Sequence, residues 1–157
     1  MRLTATVASL ATLALLAGCG GGGNEDLTGP STKGSMSATI NGTSWSASTV
    51  TQASRAGNVL AIGGNNPSWQ VLIAIPGVTA AGTYTVAATG GTMQLIQANA
   101  GAATWTASLV GGQGTVTVTT LTATRAIGTF SFTGNATAGT PAGGTRNVTA
   151  GQFDVTF

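Results

Sequence analysis

The sequence predicts an all-β chain: one antiparallel β-sandwich or barrel-like domain of about eight to ten short strands. Three observations carry this. No stretch beyond residue 34 holds apolar residues at helical spacing. Short segments instead alternate apolar with small polar residues, separated by Gly, Asn and Pro. Threonine is abundant, at 29 residues, and a β-branched side chain suits a half-buried pleated surface. Its hydroxyl also gives a polar, uncharged outer face, so that only 5% charged residues suffice.

The pattern places strands at 35–41, 45–53, 57–63, 68–76, 82–88, 91–98, 102–110, 114–124, 126–134 and 147–157. Gly63–Pro67, Pro76-Gly77, Gly90-Gly91 and Gly111-Gly112 divide them. A parallel solenoid would need a fixed repeat, and turn spacing here is irregular. Alternation assigns the faces. Trp69 shares parity with Val71, Ile73 and Ile75, and Trp105 with Ala103, Ala107 and Leu109. Tyr84 goes with Val86, Phe130 with Phe132, and Phe153 with Val155 and Phe157, each opposite Thr, Ser, Gln or Asp. In 115–122, Val116 and Val118 share a parity that Leu121 breaks, which predicts a β-bulge near Thr119-Thr120. The Thr-x-Thr run there also resembles the ladders of ice-binding proteins, but one strand is not an array and an ordinary solvent face is the better reading.

The aromatics keep apolar company, which favours core over sugar stacking for Trp69 and Trp105. Trp45, between Ser44 and Ser46, is the one candidate ligand-binding residue.

Charge and composition exclude several functions. There is no His, so neither a Ser-His or Cys-His nucleophile nor an imidazole metal ligand exists. Beyond residue 34 the only carboxylate side chain is Asp154, so paired-carboxylate chemistry is lacking and a metal cage is poor. No catalytic residue, metal site or cofactor is expected, and the protein reads as a non-enzyme. Arg55, Arg125 and Arg146 are too few and scattered for nucleic acid. Asp154 and Arg125 both fall on outer faces, so a cross-strand pair is expected if their strands adjoin. A ligand carboxylate on one of the three Arg ranks below that pair.

Met1-Arg2 followed by the apolar stretch to Gly18 reads as an export signal over 1–18. Leu16-Ala17-Gly18-Cys19 resembles the lipobox of bacterial lipoproteins. The resemblance implies cleavage between Gly18 and Cys19, lipidation of Cys19 and attachment to a membrane. Residues 19–34, rich in Gly, read as a flexible tether before the 35–157 domain. Gly20, where some bacteria read an Asp as a retention signal, favours the outer membrane.

A second resemblance covers most of 36–157. Met36–Ile40, Asn41-Gly42, then Trp45, together with Gly82-Thr83-Tyr84, Trp105, Gly128–Phe132 and Val148–Val155, are similar to a group of uncharacterised bacterial lipoprotein domains. It implies an exported all-β domain of unknown function with no catalytic residues. The expected partners are the membrane, through Cys19, and an envelope protein or glycan. A carbohydrate or small-ligand module using Trp45 is the alternative.

Overall fold

The computed structural model describes residues 34–157. The expected export signal, the expected cleavage site at Gly18–Cys19 and the expected tether up to residue 33 lie outside the described residues. Eleven strands and one helical turn follow in order: β1 (Gly34–Ile40), β2 (Thr43–Ser46), β3 (Thr49–Ala56), β4 (Val59–Asn65), β5 (Trp69–Ile75), β6 (Gly82–Thr85), α1 (Val86–Thr89), β7 (Thr92–Gln97), β8 (Ala103–Ala107), β9 (Gln113–Leu121), β10 (Arg125–Ala136) and β11 (Thr145–Thr156). Every strand pairing is antiparallel. The all-β architecture is as the alternation predicts. Gly34, expected in the tether, is the first residue of β1.

The strands form one sheet in the order β2-β1-β11-β10-β8-β7-β5-β4-β3. It branches at β10, whose residues 126–133 pair with β9 while Asn135 and Ala136 pair with β8; β9 carries β6 on its other side. The two ends of the path, β2 and β3, are consecutive in sequence and joined only by Ala47 and Ser48. Laid flat, nine strands would hold those ends about 38 Å apart, whereas the link can span only about 11 Å. The sheet must therefore curl on itself. Ala47 donates to the Met36 carbonyl and Ser48 to that of Asn65, both at 2.9 Å, stitching β1 to the far edge.

The concave side holds the core. Leu60, Ile62, Val71, Ile73, Ile75, Met93, Leu95, Val116, Val118, Phe130, Phe132, Phe153 and Val155 are all buried there. Each such side chain contributes about 1.5–3 kcal/mol on leaving water. No polar or charged residue is fully buried among the described residues. Two glycines accept aromatic rings across strands. Gly128 opposes Phe153 and Gly151 opposes Phe130. A Cβ at Gly128 would meet the Thr117 carbonyl oxygen and lie 2.6 Å from Phe153 Cζ.

Local chemistry sets the turns. Asn41 and Gly42 take φ of 46° and 84°, the two left-handed residues of a tight hairpin between β1 and β2. The Asn41 side chain also accepts from the backbone of Asn147 at 2.9 Å, tying the hairpin to β11. The predicted bulge is present: Ile127 opposes Thr120 while Gly128 opposes Val118, leaving Thr119 as the extra residue. A second bulge lies in β11, where Thr149 and Ala150 together face Ser131, with Ala150 at φ 49°.

Three expectations differ from the structure. The 45–53 strand is two strands, because the chain crosses at Ala47-Ser48 from one edge to the other. Strand 82–88 stops at Thr85, whose Oγ1 caps α1 by accepting from Ala88 N. Leu109, grouped with the core by parity, is 69% exposed, because β8 ends at Ala107 and Ser108 and Gly111 close a turn by reciprocal bonds of 2.7 and 3.2 Å.

Candidate functional site

Trp45, the candidate ligand residue from sequence, lies in the core at 4% exposure, opposite Ala38 on β1. Its ring faces belong to the packing and present no stacking platform. The polar neighbours Ser44 and Ser46 are the outer half of the same alternation, seen in the β2 pattern. Cys19 and Gly18 lie outside the described residues.

The three arginines of the domain are not brought together. Arg125 makes a bidentate pair with Asp154, Nε to Oδ1 at 2.8 Å and Nη2 to Oδ2 at 2.6 Å, as the parity of their strands predicts. The guanidinium lowers the Asp154 carboxyl pKa, first through the hydrogen bond, and Asp154 raises that of Arg125 in return. Arg146 lies over the Trp105 ring at 4.7 Å from its centroid, while Trp105 Nε1 donates to the Gly143 carbonyl at 3.0 Å. Trp69 packs tilted against Trp105 at 6.1 Å. Arg55 sits on β3, opposite Leu60. No group of three or more His, Cys, Asp or Glu is placed to hold a metal among the described residues.

What the curled sheet does assemble is a face of hydroxyls. Residues opposite one another across a ladder share a face. Register therefore carries one row across six strands: Thr83 to Thr117, Thr117 to Thr129, Thr129 to Gln152, Gln152 to Ser37, and Ser37 to Ser46. These residues alternate with buried ones such as Val116, Val118, Phe130 and Phe153, so the row lies on the convex, solvent side. A parallel row runs Thr85, Thr115 and Ser131, and reaches Thr149 at the β11 bulge.

Two grooves mark this face. One, of about 430 Å³, is edged by Thr85, Gln113, Thr115, Ser131, Thr133 and Thr149, with Ala87, Phe132 and Val148 also lining it. The other, of about 340 Å³, is edged by Ser35, Ser37, Thr119, Thr129, Gln152 and Asp154, with Ile127 and Phe153 also lining it. Some hydroxyls bond one another, as Thr83 and Thr117 do at 3.1 Å, and Thr133 donates to Asn147 at 2.8 Å. Those of Thr129 and Ser131 are exposed to solvent. Such a surface can donate and accept hydrogen bonds.

Sequence reasoning assigned Thr115, Thr117, Thr129, Ser131 and Gln152 to outer faces, yet did not join them. The joining depends on which strands adjoin, and β6-β9-β10-β11-β1-β2 is a long-range order that no local signal encodes.

Residues 32–155 match the family profile described as a domain of unknown function, DUF6252. No curated protein and no solved structure matches the chain.

Proposed function

The chain belongs to the DUF6252 family, whose function is unknown, and from that premise we propose that it is an exported, lipid-anchored, non-enzymatic binding protein. In this reading Cys19 carries the lipid, residues up to 33 form the tether, and the β-domain presents its hydroxyl-lined face to a neighbouring component of the bacterial envelope. The observation that carries it is the tetrad Leu16-Ala17-Gly18-Cys19, in which the one Cys of the chain stands where a lipoprotein would be cut and acylated. More than one acyl chain at one residue gives lasting attachment, since each buried methylene contributes about 0.8 kcal/mol. Gly20 after Cys19 supports outer-membrane sorting where the cell has one.

The test compares the wild type with Cys19→Ser in cells fed a clickable palmitate analogue, followed by fractionation and crosslinking pull-down. Acyl label and membrane recovery for the wild type alone, with an envelope component captured only by the anchored form, are the expected results. An unlabelled wild type that fractionates like Cys19→Ser would remove the anchor from this reading.

A further inference from the structure

We propose that the hydroxyl-lined face of β6, β9, β10, β11 and β1 binds a neutral polysaccharide chain, an assignment that rests on the tethered-binding reading and names its ligand class. The two grooves stand on successive cross-strand rows and so follow one another along β10. From Ile127 to Thr133 the line they follow is about 20 Å long at the rise of a strand. That is the shape of a site for an extended polymer rather than for one small molecule.

The chemistry of the face selects the class. Its one charged pair, Arg125 with Asp154, neutralises itself at one corner. An anionic polymer, a nucleic acid or an anionic lipid surface would need unpaired cations there. A protein interface would centre on exposed aromatic, aliphatic or Arg anchors, and none of the exposed large hydrophobics, Val59, Leu109 and Val110, lines either groove. A neutral polyol fits: each of its hydroxyls both donates and accepts, as does each Thr hydroxyl, and the Gln152 amide adds both functions. Threonine on a strand is stiff about χ1, so little side-chain entropy is lost on binding. Neither side carries net charge, so binding leaves no unpaired ion out of water.

The test uses the full-length lipidated chain in detergent micelles. Immobilised neutral glucan, mannan, galactan and an N-acetylglucosamine polymer serve as probes, with polygalacturonate as an anionic comparison. Retention on at least one neutral polymer, insensitive to salt, is expected. Thr129→Val and Ser131→Val, both at exposed positions, should each weaken it about five- to tenfold, the worth of one hydrogen bond. Independently of any variant, soluble oligosaccharide from the retained polymer should raise the wild-type Tm. Retention on polygalacturonate alone, no retention on any neutral polymer, or unchanged retention by folded valine variants overturns the assignment. A protein captured from the envelope without polysaccharide binding overturns it too, yet leaves the tethered-binding reading standing. An unacylated Cys19 with intact polysaccharide binding does the reverse.

Discussion

At the scale of single residues, the two buried indoles of Trp45 and Trp105 separate packing from hydrogen bonding. Trp105 Nε1 has the Gly143 carbonyl, whereas Trp45 Nε1 is buried with no partner. Trp105→Phe should therefore lose about 1–3 kcal/mol in chemical denaturation, and Trp45→Phe clearly less, because it removes a donor that was unsatisfied already. The Arg125–Asp154 pair gives a pH signature. The folded-state pKa of Asp154 lies below its ordinary 3.8, so the stabilising contribution is complete above that value and is lost as pH falls through the folded pKa. The wild type should melt slightly above Asp154→Asn at neutral pH, and the gap should close in acid; a gap that persists there would show that the effect is not the carboxylate charge. The pair was legible because both residues alternate with apolar neighbours on their own strands. Trp45 was not, since serines on both sides mask an inward residue in a strand of only four.

Elements carry a second kind of information, the places where pairing slips or rings press on backbone. Ala150 stands at φ 49° in the β11 bulge, a conformation that penalises a Cβ by about 1–2 kcal/mol. Ala150→Gly relieves that strain and gives back some in unfolded-state entropy, so a net gain of about 0.5 kcal/mol is expected from denaturant midpoints. Gly128→Ala should move the other way by about 2–3 kcal/mol, as its Cβ would collide with the Phe153 ring and the Thr117 carbonyl. The bulge at Thr119 was readable because Leu121 switches parity after Val116 and Val118, so a phase error along one strand reveals an inserted residue. The break at Ala47-Ser48 was not readable. Its cause is the meeting of two sheet edges there, and that meeting depends on strands as distant as β11. Leu109 shows the same limit: alternation says which way a side chain would point if the strand continued, and not where the strand stops.

For the whole molecule, the decisive feature is that the last strand is central. β11 lies between β1 and β10, with Gly34 opposite Val155. Removal of residues 145–157 should leave a chain without cooperative unfolding by circular dichroism, since β1 and β2 then lose the ladder that joins them to β10. Non-local pairing of this kind also predicts slow folding, in milliseconds to seconds by stopped-flow, in a domain without prolines in its strands. A second consequence concerns delivery. Under the proposed export, a chain threaded from its N-terminus cannot complete this sheet until β11 arrives. Until then β1 and β10 each keep an unpaired edge, which another chain can join.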